Sequence, residues 1–287
     1  MVTLLLVSLA GFLAQLIDGA MGMAFGVVST TILIAIGYNP AVASAVVNVA
    51  KIGTAISSGW AHVKYKNVDW HAMFKVGVPG SIGGFVGAVL LSNVDLSRAL
   101  PWTSSILLIL GLMILYRFTR TKIFGKKRRA RARWLAPLGL VGGVVNATGG
   151  GGWGPVVTTT LTATNALTPR KAIGTTNTSE LFVAIFTTVG FLFGLGYRQF
   201  PWQPLLALLI GGLLAAPLAA WLVKKAPQRI MGVIIGGLIV LLNVRQLLVA
   251  VDAPAAISIV GYLAAIALWV YAVIVGIKML SVDRLKE

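Results

Sequence analysis

Two charged residues stand in the middle of long apolar runs, Lys51 and Glu180, and each follows an asparagine, Asn48 and Asn177, at the same short spacing. A three-residue step puts the members of each pair on one face of a helix. Charges so deep in apolar segments are costly and are kept either for function or as partners of each other. Both readings stand: Lys51 and Glu180 neutralise one another, holding two halves together, or they act on a substrate or a proton. Ser44, Thr175, Thr176 and Thr178 nearby offer neutral donors to the oxygens of an oxyanion, or hydrogen bonds between helices. A further carboxylate, Asp18, opens the stretch Asp18-Gly19-Ala20-Met21-Gly22-Met23-Ala24-Phe25-Gly26. It either caps the segment that follows, the blander role, or carries a proton.

That stretch interrupts an apolar run, and it has an echo at Asn146-Ala147-Thr148-Gly149-Gly150-Gly151-Gly152-Trp153-Gly154. Asp18 aligns with Asn146, Gly22 with Gly150, Phe25 with Trp153 and Gly26 with Gly154. Paired breaks in corresponding halves of an apolar chain mark the binding site of a secondary transporter. Glycines permit positive φ and close backbone approach, and helices that restart after a break aim free N–H groups and a positive dipole end at an anion. Four consecutive glycines, Gly149 to Gly152, melt a helix rather than pack it. Gly83, Gly84, Gly87, Gly211, Gly212, Gly236 and Gly237 read instead as helix-packing positions. The candidate substrate-binding set is therefore Gly22, Met23, Phe25, Asn48, Lys51, Gly150, Gly151, Gly152, Trp153, Thr176 and Asn177. Asp18 and Glu180 are the candidates for proton coupling or charge pairing.

The elements that must position these residues follow from composition. The chain of 287 residues is 57% hydrophobic and 11% charged, with a mean hydropathy of +0.91, which is a polytopic membrane protein rather than a water-soluble globule. A net charge of +17 would otherwise suggest nucleic acid. Here Lys and Arg gather in short segments between apolar runs, the signature of cytoplasmic loops, so no nucleic-acid partner is expected. The absence of cysteine excludes disulfides and thiolate metal sites. His62 and His71 both fall beside a predicted loop, so neither a metal nor a cofactor is expected. Met1 to Ala14 lacks the basic start of a signal peptide and aligns with the segment before Asn146, so it is expected in the mature fold.

The apolar runs are 3–37, 40–61, 70–91, 98–117, 135–166, 169–196, 202–223, 228–250 and 254–280. The first and fifth contain the breaks. The alignment continues beyond them: Asn39-Pro40 with Thr168-Pro169, Asn48 with Asn177, Lys51 with Glu180, Trp70 with Trp202, Gly80 with Gly212 and Arg98 with Arg229. Residues 1–120 and 135–250 are thus expected to be duplicates. A basic cytoplasmic loop, 121–134, joins them, and 254–287 adds one further helix and a short tail. If each broken run is a re-entrant hairpin, each half has three full crossings and the second half is inverted. Lys64, Lys66, Arg170, Lys171, Lys224, Lys225, Arg229, Lys278, Arg284 and Lys286 then join the loop on the cytoplasmic side, leaving Arg98, Arg198 and Arg245 near the other face. The positive-inside rule prefers this to a single crossing per broken run. The expected fold is an all-α polytopic membrane protein of two inverted repeats, with its N-terminus outside and its C-terminus cytoplasmic. Trp60, Trp70, Trp102, Trp134 and Trp202 read as interfacial anchors.

The break at 18–26, Asn39-Pro40, the 44–51 helix, and the Gly149–Gly154 break with Gly174-Thr175-Thr176-Asn177 together resemble the sulfite exporter TauE/SafE family over essentially the whole chain. Met21 and Met23 depart from the more glycine-rich form of the first break, which bears on pocket shape. The resemblance implies a proton-coupled secondary carrier of the bacterial inner membrane that moves sulfite, sulfonates such as sulfoacetate, or related organic anions, usually outward. The residues themselves point to a small anion as partner within the bilayer, and a carboxylate suits them as well as a sulfonate. The expected mechanism is alternating access, with Glu180 or Asp18 exchanging a proton with the transported anion. An anion channel is the alternative, although no pore-lining ring of charge is evident. No HExxH helix, GxSxG elbow or cluster of acids supports an enzyme. A homodimer is left open.

Overall fold

The computed structural model describes residues 2–21, 24–120, 132–164, 166–196, 200–225 and 228–284. Gly22, Met23, the basic segment 121–131, Arg198 and Lys286 lie outside the described residues. Every regular element among those described is helical. The first broken run is α1 (Val2–Met21) and α2 (Phe25–Ala35). The helices α3 (Pro40–Lys64), α4 (Trp70–Ser92) and α5 (Leu96–Thr119) follow. The second broken run is α6 (Ala132–Gly149), a π-helical turn (Gly154–Thr158) and α7 (Thr159–Ala163). The remainder is α8 (Pro169–Leu195), α9 (Trp202–Lys225), α10 (Gln228–Ala250) and α11 (Ala255–Arg284).

Local chemistry explains where these helices start and stop. Pro40 and Pro169 stand at first helical positions, where a missing N–H costs nothing. Before Pro40, Asn39 Oδ1 accepts from the Ala41 amide at 2.8 Å. Asp69 caps α4 by accepting from the Ala72 amide at 3.0 Å. Gly37 follows α2 with φ +100°, a conformation that suits glycine at the end of a helix.

Among the described residues six helices are long and apolar enough to cross a membrane: α3, α4, α5, α8, α10 and α11. The apolar stretch of α9 among the described residues is the shorter Trp202–Ala215. Leucine, isoleucine and valine side chains cover much of the outer surface, as lipid contact requires, and α11 is the least covered by neighbours. Trp60, Trp70, Trp102, Trp134 and Trp202 are all exposed near helix ends. The chain is an all-α, multi-pass membrane protein.

The helices interlock. α1 lies along α9, α6 along α4, and α5 along α10, while α8 packs on both α3 and α4. Several close approaches set glycine against backbone: a Cβ on Gly11 would strike the Leu208 carbonyl, and one on Gly139 the Val76 carbonyl. The repeat alignment read from the sequence superposes these two contacts, with Gly11 on Gly139 and Val76 on Leu208. Gly83 against Leu140 and Gly211 against Ser8 are further contacts of this kind, while Gly237 lies against the Trp269 ring.

Candidate functional site

Lys51 on α3 and Glu180 on α8 form an ion pair at the centre of the helix bundle, and Lys51 is 5% exposed. The Lys51 ammonium also donates to Asn146 Oδ1 at 3.1 Å. Asn146 Nδ2 donates in turn to Asn48 Oδ1 at 2.7 Å, and Asn48 Nδ2 to the Ser44 carbonyl at 2.9 Å. The Ser44 hydroxyl donates to the carbonyl of Ala147. Ser44, Asn48 and Lys51 recur at helical spacing, so one face of α3 is fastened to the end of α6 just before the second glycine break. An ammonium has three donors. Glu180 and Asn146 take two of them among the described residues.

Lys51 and Glu180 line a cavity of about 650 Å³, within the range of small-molecule sites. Both breaks reach it: Asp18, Phe25 and Gly26 from the first, Gly151 and Gly154 from the second. The tips touch directly, since a Cβ on Gly26 would overlap the backbone of Gly150 and Gly151, and one on Gly151 would overlap Gly26 and Val27. Gly150 adopts φ +63°, which only glycine takes without strain. Asn177 on α8 lines the same cavity, as do Leu208 and Gly212 of α9. Gly212 thus has a second role beside helix packing.

Several expected residues stand elsewhere. Trp153 is fully buried and outside the cavity lining: its ring packs over Gly80 and Gly142, and its Nε1 donates to the Thr176 carbonyl at 3.1 Å. It braces the second tip against α4 and α8. Thr176 is buried beneath it and does not line the cavity. Asn48, Gly150 and Gly152 support the site from behind its wall rather than lining it.

Asp18 both lines the cavity and caps α2: its Oδ1 accepts from the Ala24 amide at 2.7 Å and the Phe25 amide at 3.0 Å. At the first tip this carboxylate therefore takes up the Ala24 and Phe25 amides that an anion would otherwise meet. At the second tip the aligned residue is Asn146, whose amide serves Lys51 and Asn48 instead.

Ser58 and His62, absent from the sequence-based site, also line the cavity. The expected helix stops at residue 61 and places His62 beside a loop. In the structure α3 continues to Lys64, so Lys51, Thr54, Ser58 and His62 form one stripe at steps of three and four. That spacing was the available signal. Among the described residues no group of histidine and acidic side chains could hold a metal ion.

An interlocked bundle with two broken helices meeting at a charged cavity is an arrangement suited to a multi-pass membrane transporter. The chain belongs to the sulfite exporter TauE/SafE family, whose sequence model matches residues 7–245. It is also 43% identical over 274 residues, 94% of this chain and 91% of the other, to a protein of Bacillus subtilis (strain 168) named "Probable membrane transporter protein YtnM". No solved structure matches it. α11 lies beyond the residues that the family model matches.

Proposed function

We propose that the protein is a secondary carrier of a small oxyanion, sulfite or a sulfonate such as sulfoacetate, exporting it across the bacterial inner membrane. The observation that carries this reading is the Lys51 ammonium, buried, facing the cavity, and with a donor left over after Glu180 and Asn146. The compact oxyanion docks on that donor beside Gly151, where the absence of a side chain allows close approach. The family's name supplies sulfite as the first candidate substrate.

Charge balance supports proton coupling. Among the described residues the charged groups lining the cavity are one ammonium, Lys51, and two carboxylates, Asp18 and Glu180, a formal −1 with His62 neutral. An uncompensated anion entering such a poorly solvated site is strongly disfavoured. A proton on Glu180 removes one negative charge and releases Lys51, so anion and proton occupy the site together. A sulfite dianion moving with one proton still carries net negative charge outward, and an inside-negative potential favours that exit by about 2.3 kcal/mol per charge per 100 mV. Alternating access comes from rocking of the halves 1–120 and 135–250, inverted relative to each other, with the N-terminus outside and the C-terminus cytoplasmic. The matched Gly11–Leu208 and Gly139–Val76 contacts support treating the halves as equivalents.

Proteoliposomes loaded with sulfite test this. Efflux is expected to accelerate with an inside-negative potential and to respond to an imposed pH gradient. In Glu180→Gln the pH response is expected to vanish. If Glu180→Gln transports with unchanged pH dependence, Glu180 has no part in coupling. If carboxylates are carried and sulfite and sulfonates are not, the substrate assignment fails.

A further inference from the structure

We propose that His62 is held as a neutral imidazole protonated on Nε2, and that this N–H is the hydrogen-bond donor that orients the substrate's oxygens in the cavity. The inference rests on the anion-carrier reading above for its substrate, but the tautomer follows from hydrogen-bond logic alone. Arg170, at the start of α8, donates through Nε to Asn67 Oδ1 at 2.6 Å. A guanidinium has no acceptor, so the Asn67 amide cannot turn over without setting two donors face to face. Its Nδ2 therefore points at His62, 3.4 Å from Nδ1. An amide nitrogen only donates, so Nδ1 accepts and carries no proton. The one proton of the neutral ring is then on Nε2, and a doubly protonated ring would oppose the Asn67 amide.

Nε2 lies 3.3 Å from Asn177 Nδ2, which donates to the Ser58 hydroxyl at 3.0 Å, so both ring nitrogens face an amide nitrogen and a neutral ring can accept from only one of them. All three residues line the cavity. Because Arg170 fixes the Asn67 amide, it is the Asn177 amide that must be turned over, so that its Oδ1 accepts from both Nε2–H and the Ser58 hydroxyl. A sulfite or sulfonate oxygen replaces that one acceptor and meets two neutral donors in a fixed geometry. Among the described residues no carboxylate bonds to the ring. Arg170 and Asn67 are positioning residues, acting on substrate only through the imidazole. Lys51 supplies charge along the same face of α3, and His62 with Ser58 supplies direction, which favours a three-oxygen anion over a spherical halide.

The chain has only two histidines, His62 and His71, and His71 is exposed at the start of α4. His71→Gln therefore leaves one ring to observe. Protein labelled with ¹⁵N-histidine in detergent is expected to show Nε2 protonated and Nδ1 bare at neutral pH. Asn67→Asp, which puts an acceptor opposite Nδ1, is expected to move the proton to Nδ1 and, with the Nε2–H donor gone, to weaken sulfite binding about tenfold, the loss of one good hydrogen bond. Added sulfite is expected to shift the Nε2 resonance in the parent protein. A ring bearing its proton on Nδ1, or an Asn67→Asp variant with an unchanged tautomer, overturns the proposal. Sulfite that stabilises the fold thermally without moving the Nε2 resonance overturns the role in substrate binding while leaving the carrier reading intact. If sulfite, sulfonates and carboxylates all fail to stabilise the parent, the carrier reading fails instead, and the tautomer measurement still decides the positioning network.

Discussion

At Lys51 the demands of stability and of transport can be separated by mutation. Removing one partner of a buried ion pair leaves the other charge uncompensated, at a cost of about 3–5 kcal/mol where both are fully buried. Glu180 is 18% exposed toward the cavity, so Lys51→Met is expected near the lower end of that range. Replacing both, Lys51→Met with Glu180→Leu, is expected to recover most of the loss because no orphan charge remains. Thermal unfolding in detergent reads both, and sulfite should raise the Tm of neither variant. A double variant no more stable than the single one would show that the pair is not a coupled unit. Asp18 separates differently. Asp18→Ala removes the α2 cap and is expected to cost about 1 kcal/mol, whereas Asp18→Asn keeps an acceptor for the Ala24 and Phe25 amides and stays close to the parent. Any change in the pH response of transport in Asp18→Asn then reports on proton handling rather than on folding.

At the scale of elements, the two broken helices meet through glycine backbones. Gly26→Ala and Gly151→Ala each set a methyl group against main chain that has no side chain to move aside. Such overpacking costs about 1–3 kcal/mol. Gly150→Ala combines a clash with Thr30 and a positive φ, and the backbone term alone is about 1–2 kcal/mol. These variants are expected to lower transport more than their stability loss explains, since they push apart the tips that border the cavity. A matched test addresses the repeats: Gly11→Val and Gly139→Val should destabilise by similar amounts, because each meets a helix carbonyl at an aligned position. A large disparity would argue against treating the halves as equivalents.

At the scale of the whole molecule, orientation is the first question, and the lack of native cysteine makes it accessible. In the proposed topology Asn93→Cys, between α4 and α5, labels with an impermeant thiol reagent from outside intact cells. Tyr65→Cys, between α3 and α4, labels only after the membrane is opened. The reverse pattern would invert the protein and, with it, the side from which each hairpin enters.

Much of this architecture was legible in residue order. Apolar runs of about 20 residues fix helices and a membrane, because hydrocarbon tolerates no unpaired backbone. The run of glycines at 149–152 marks a break wherever it falls, and the match of Lys51 with Glu180 set two opposite charges at one depth. What only the tertiary structure decided is which way each helix faces. In a bilayer, lipid and neighbouring helices are equally apolar, so hydrophobic pattern cannot distinguish the outside of a helix from its packed side. Hence Trp153, a plausible cavity wall by alignment, turned into the core to bond Thr176, while Phe25 at the aligned position faces the cavity. The Asp18 carboxylate folded back onto its own helix start, and three more residues of α3 beyond the expected end brought His62 beside Asn177. Composition and spacing settled what the chain is made to span; the rotation of α3 against α8 settled which side chains meet inside it.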